Sequence, residues 1–219
     1  MDAARLQTKV YSGYSKAAQR IGYAFTVYRP NGASNPIVSG NIVNAGINAS
    51  FTPRSTGFNF EITSDYKQPL FHGLFDATNI NVGDYLTLAG HGTYFVISKQ
   101  DIAPILCVSC NNTVTVSRAP CVGGTGAQTG YSGATIGNES PIMSLFPASL
   151  IFDARGRNSG AGLPMDEVNP YFNVLLPHIA GVDVRTSDII TDEDNRRYIV
   201  SSAEHSPLGW RIMARQAVT

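Results

Sequence analysis

The stretch from Asp84 to Asn112 is laid out again near the C-terminus, and this duplication limits what the chain can fold into more than any other feature. Slid along by 104 residues without a gap, Asp84 falls on Asp188, Leu86 on Ile190, Tyr94 on Tyr198, Val96 on Val200, Leu106 on Trp210 and Val108 on Ile212. Each copy reads as a turn, a strand, a turn marked by proline, and a second strand. The runs Tyr94 to Ser98 and Tyr198 to Ser202 are rich in β-branched and aromatic residues, which suit a pleated, half-buried surface. The later trios Leu106, Val108, Cys110 and Trp210, Ile212, Ala214 alternate with period two, so each trio is expected on one face of a sheet. The segment NPIVSG at Asn35 to Gly40 has an echo in SPIMSL at Ser140 to Leu145. A repeat fixes architecture before any single element does. The expected fold is mainly β: two tandem related β-barrel or β-sandwich domains with an N-terminal amphipathic helix.

That helix is read from Leu6, Val10, Tyr14, Ala17, Ala18 and Ile21, which recur at three- and four-residue intervals, with Asp2 at its start and Gly22 as its stop. With no second helix to meet it, its apolar stripe must cover a sheet or dock on a neighbouring subunit. Tyr23 to Tyr28 follows as a short strand and Pro30-Asn31-Gly32 as a turn. Phe58, Phe60 and Ile62 alternate as a further strand candidate. Between Cys121 and Asn138 glycine, serine and threonine dominate, and such a stretch buries too little to offset its backbone entropy. On this pattern the chain divides into residues 1–30, helix and short strand; 31–118, the first β-domain; 119–170, a Gly/Ser-rich loop or linker with short β segments; and 171–219, the core of the second β-domain, where Trp210 is the expected anchor.

No catalytic, cofactor-binding or metal site is expected. His72, His91, His178 and His205 share no ligand spacing. Cys107 and Cys110 form a C-x-x-C, but on a strand positions i and i+3 project to opposite faces, which makes a shared metal awkward. Gly123-Gly124-Thr125-Gly126 lacks the Gly-Lys-Ser/Thr that completes a phosphate cradle. Asp192, Glu193 and Asp194 lack the D-x-D-x-D-G frame of a calcium loop and read as a solvated hairpin tip. No G-x-S-x-G elbow marks a nucleophile, and an enzyme is not expected. Sixteen basic and sixteen acidic residues cancel, so nothing in the overall charge marks a strong grip on phosphates. No run approaches the length of a membrane span.

Ser187-Asp188-Ile189-Ile190, Asn195-Arg196-Arg197-Tyr198-Ile199-Val200 and Leu208-Gly209-Trp210-Arg211 resemble the C-terminal plan of tailed-bacteriophage head-completion proteins, the small stopper barrels of the head-to-tail connector. The opening MDAARLQTKVYSGYSKAAQRIGYAFTVYRP is similar to the start of phage and prophage proteins encoded among head and tail genes. The resemblance covers the N-terminal helix and both repeats. A stopper is usually one barrel, and two barrels also suit a neck, adaptor, nozzle or tail-tube component. What the resemblance implies is a virion structural protein, assembled in the bacterial host cytoplasm, that self-associates into a ring of six or twelve copies around the DNA channel. Its partners would be the portal, adaptor or other tail proteins, with transient non-specific contact with the genome, no cofactor and no membrane. A free helix stripe and exposed strand edges are the expected ring contacts. The alternative is a receptor- or carbohydrate-binding tail module, or a capsid decoration protein.

Overall fold

The computed structural model describes residues 2–53, 69–99, 103–119, 138–153 and 170–217. The strand candidate at Phe58 to Ile62 and most of the Gly-rich stretches lie outside the described residues. Among the described residues one α-helix, α1 (Ala3–Ile21), precedes twelve strands: β1 (Tyr23–Tyr28), β2 (Ile42–Pro53), β3 (Leu70–Leu74), β4 (Tyr85–Leu88), β5 (Gly92–Ser98), β6 (Ile105–Cys110), β7 (Asn112–Arg118), β8 (Ser140–Asp153), β9 (Tyr171–Leu176), β10 (Ile189–Thr191), β11 (Arg197–Ser206) and β12 (Gly209–Gln216).

These strands build two closed barrels of six antiparallel strands, in the order β1-β2-β3-β6-β5-β4 and, in the same order, β7-β8-β9-β12-β11-β10. Each barrel closes where its first strand meets its fourth: Val27 lies opposite Leu86 in one and Val116 opposite Ile190 in the other. The alternation of the strands places one set of side chains inside each barrel, and a barrel this small is filled by them. Phe25, Val27, Ile47, Ala49, Leu86, Val96, Ile105 and Cys107 fill the first. Val114, Val116, Phe146, Ala148, Val174, Ile190, Tyr198, Val200, Ile212 and Ala214 fill the second.

The boundary between barrels falls at Asn111, and this corrects the division drawn from composition. β1, grouped with the helix in residues 1–30, is the closing strand of the first barrel. β7 lies in the second barrel although composition groups residues 31–118 as one domain, and β8, a strand of 14 residues, lies within the 119–170 segment that reads as loop or linker. Its glycine-rich surroundings mask it. The echo between NPIVSG and SPIMSL is not structural either. The first precedes β2 and the second lies in β8, where Met143 sits opposite Val116 as Asn44 sits opposite Val27.

The gapless repeat holds for β4 and β5 and slips in the last strand. Val96 faces Cys107 across the first barrel's wall, and Val200 faces Ala214 across the second's. Cys107 therefore corresponds to Ala214, and Ile105 to Ile212, not Cys110 and Val108. An odd slip turns every side chain to the other face. Leu106, Val108 and Cys110 accordingly point outward from the first barrel, whereas Trp210, Ile212 and Ala214 belong to the core of the second.

The helix lies against the first barrel. Tyr11 is buried with Phe75, Ala77 and Ile80, Val10 and Tyr14 pack at the margin, and Ala18 is also fully buried. Leu6 and Ile21, assigned to the same stripe, are exposed. Gly22 lets the chain pass close to β2: a Cβ there would lie 2.5 Å from the Ala49 carbonyl oxygen. So part of the helix stripe is covered within the chain, and each barrel closes by pairing its first strand with its fourth. No helix among the described residues is long and apolar enough to cross a membrane.

Candidate functional site

The residues weighed as chemical candidates do not converge. His72 lies half-buried on β3. His91 is held in the β4–β5 turn, its ring 3.9 Å from that of Tyr23. His178 and His205 approach each other at 4.5 Å, and His205 lies 4.8 Å from Trp210, with no carboxylate or thiol completing a ligand set among the described residues. No group of three or more metal-ligating side chains occurs among the described residues. Cys107 is buried inside the first barrel, where burial raises its thiol pKa and suppresses the reactive thiolate. Cys110 lies on the other face of the same strand, packed against the second cluster.

Asp192 corrects the reading of a solvated tip. It is 4% exposed and accepts hydrogen bonds from the backbone N–H groups of Asp194 (3.0 Å) and Arg196 (2.7 Å) and from the Tyr198 hydroxyl (2.9 Å). Its carboxylate builds the β10–β11 hairpin from within. Of the three acidic residues, only Glu193 and Asp194 face solvent. Burial, and next the bond to Asp192, push the Tyr198 pKa up to about 12.

What the structure does bring together is the same ion pair twice. At the end of β1, Arg29 donates from Nε to Asp84 Oδ1 (2.9 Å) and from Nη2 to Asp84 Oδ2 (2.8 Å), with Nη2 also reaching the Asn79 carbonyl (3.0 Å). At the end of β7, Arg118 does the same to Asp188 (2.8 and 2.8 Å) and reaches the Asp183 carbonyl (2.7 Å). The aspartates carry further matching bonds. Asp84 Oδ2 accepts from Asn81 N–H at 2.8 Å, and Asp188 Oδ2 from Arg185 N–H at 2.7 Å. The preceding residues, Gly83 and Ser187, both have positive φ (92° and 73°) and donate to Val96 and Val200 carbonyls.

A planar guanidinium meeting a carboxylate through two parallel bonds is among the more strongly oriented polar contacts available. Here it clasps the first strand to the turn before the fourth, where each barrel closes. The carboxylate raises the pKa of Arg29 and of Arg118 through its hydrogen bond. Both aspartates are nearly inaccessible, so the pair holds the wall together and is unsuited to substrate. Lys99, whose pKa burial lowers, is also committed to structure: its Nζ donates to the Ala77 (2.8 Å) and Ile80 (2.6 Å) carbonyls. The repeat points to the aspartates. Their arginines carry no such signal, because they sit on strands outside the repeated stretch.

The other distinctive geometry is the seam between barrels. The outward face of β4, β5 and β6, with Tyr85, Phe95, Ile97 and Val108, is buried in one apolar cluster with the core of the second barrel. The Tyr85 hydroxyl donates to the Pro147 carbonyl across this seam at 2.9 Å. Asn111 donates from its backbone to Ala148 O (3.0 Å) and from its side chain to Leu150 O (2.8 Å), and accepts from Leu150 N–H (2.8 Å). A groove of about 280 Å³ opens on the seam, lined mainly by Leu70, Phe95, Ile97, Leu175, Leu208 and Trp210, and no ionisable pair converges on it. No protein-family model, curated protein or solved structure matches the chain.

Proposed function

We propose that the protein is a structural subunit that assembles into a ring, and that the ring belongs to the head-to-tail connector or tail tube of a tailed bacteriophage, around the channel for DNA. The observation that carries this reading is the duplicated closed barrel with its duplicated Arg–Asp clasp. Rigid units of one plan, joined over an apolar seam and with no convergent chemical groups among the described residues, suit a load-bearing wall better than a catalytic cleft. Balanced charge agrees with a channel lining, since a surface that held phosphates tightly would retard a moving genome. The finer assignment to stopper, neck or tube rests on the resemblance of the Asn195 to Val200 and Leu208 to Arg211 segments.

Native mass spectrometry and negative-stain microscopy of the purified chain test the reading. A closed ring of six or twelve copies is expected. A monomer at all accessible concentrations, or a trimer that binds host envelope polysaccharide, would overturn it in favour of a receptor-binding module.

A further inference from the structure

The balance of sixteen basic and sixteen acidic residues conceals an uneven distribution. Helix α1 carries Arg5, Lys9, Lys16 and Arg20 and no acidic residue, which leaves the rest of the chain with an excess of acidic groups. At about 100° per residue the four cations fall within an arc of about 60°, opposite the side on which Tyr11 and Ala18 are buried. All four are exposed, and among the described residues none meets a carboxylate within ion-pair distance. Asp2, just ahead of the helix, pairs with none of them and gives the helix no side-chain cap.

Helix stability does not account for this layout. Arg5 with Lys9 and Lys16 with Arg20 are like charges four residues apart, which destabilise a helix. Arg5 also sits in the first turn, where the macrodipole disfavours a cation. Gly13, a poor helix former, lies on the exposed side between the two pairs. Neither packing nor a positive φ calls for it, since a Cβ there would meet no atom within 4 Å. With exposed Ser12 beside it, Gly13 leaves a gap through which a partner can approach the helix backbone.

We propose that this face of α1 binds the phosphate backbone of double-stranded DNA, without regard to sequence. A straight row of cations roughly 22 Å long suits a stiff polymer that presents one charge every ~1.7 Å along its axis. Val10, Tyr11 and Tyr14 are engaged with the barrel, so the helix cannot turn that side to a lipid surface, as an interfacial helix must. Beside the stripe, a groove of about 260 Å³ is lined in part by Ser15, Gln19, Asn44 and Asn48, neutral groups that suit sugar and phosphate oxygens. Asp76 is the carboxylate in that groove, and its Oδ1 accepts from the Thr78 N–H and hydroxyl. Four phosphate contacts are few, so the grip is weak at cellular salt and lets a duplex slide. Such binding is compatible with a channel but requires neither a channel nor a ring.

Fluorescence anisotropy of a labelled random-sequence duplex tests the proposal on the full chain at low salt. The parent binds, and its log association constant falls with log salt at a slope of about −3.6, as four neutralised phosphates dictate. Arg5→Gln/Lys9→Gln/Lys16→Gln/Arg20→Gln keeps good helix formers on the exposed face, so it retains the parent's circular dichroism and binds roughly 100-fold or more weakly. Gly13→Leu favours the helix and fills the gap, so it melts no lower than the parent yet binds the duplex severalfold more weakly. Parent protein that leaves the duplex unbound, or either variant binding as the parent does, overturns the assignment, and an assembled ring would stand unaffected. Polyglutamate or phosphatidylserine vesicles that bind more tightly than the duplex overturn it in favour of an acidic protein or a membrane surface.

Discussion

Asp84 and Asp188 each take a bidentate arginine and a backbone N–H while almost wholly shielded from water. Removing such a carboxylate leaves a guanidinium and a partly buried backbone N–H without their acceptor. The arginines are partly exposed, at 40% and 32% of their side chains, so water relieves part of that loss. Asp84→Ala and Asp188→Ala are each expected to cost about 2 to 4 kcal/mol, measured by urea denaturation. The two changes act in different barrels and should be close to additive. An Asp188→Ala protein as stable as the parent would mean that the clasp does not hold the second barrel shut. Tyr198 supplies a pH signature. Its folded pKa is raised to about 12, against about 10 for an unperturbed tyrosine, so the stability it contributes is intact below about pH 10 and is lost as pH climbs through 12. Tyr198→Phe removes that component. The difference in stability between parent and variant should therefore shrink over this alkaline window, and stay flat near neutrality.

At the level of elements, the repeat makes β4, β5, β10 and β11 legible because their spacing from the aspartate turns is the same in both copies. Period-two alternation also places β6 and β12, but alternation shows only that two faces differ, not which of them faces the core. Only the cross-strand partners, Val96 with Cys107 and Val200 with Ala214, decide that. β8 is hidden by polar and glycine-rich neighbours, and the arginines of the clasp by their distance along the chain from the carboxylates they meet. Trp210 is legible from bulk alone, and it is 7% exposed in the cluster common to both barrels. Its neighbour Gly209, at φ 114°, allows β12 to start against Leu176; a Cβ there would lie 2.5 Å from the Leu176 carbonyl oxygen. Trp210→Ala is expected to cost about 3 to 5 kcal/mol by loss of packed surface and creation of a cavity. Thermal melting checks it, and an unchanged transition would show that the seam closes without the indole.

For the whole molecule, the seam decides whether two barrels behave as one protein. Tyr85, Phe95, Ile97 and Val108 belong by strand order to the first barrel and by packing to the core of the second. Unfolding either barrel strips cover from the other. The hydrogen bonds of Asn111 to Ala148 and Leu150 tie the joint between β6 and β7 to the β8 strand as well. Scanning calorimetry should then show one transition, with calorimetric and van't Hoff enthalpies in agreement. Dividing the chain at the joint tests the same coupling more sharply. A fragment of residues 1–111 would present that apolar wall to water, an exposed patch of the kind that drives association. It is expected to bind a hydrophobic dye and self-associate when made alone, and to co-purify with the 112–219 fragment when the two are made together. A first fragment that is monomeric and dye-silent, together with two separate calorimetric transitions in the intact chain, would mean that the barrels are neighbours without being partners.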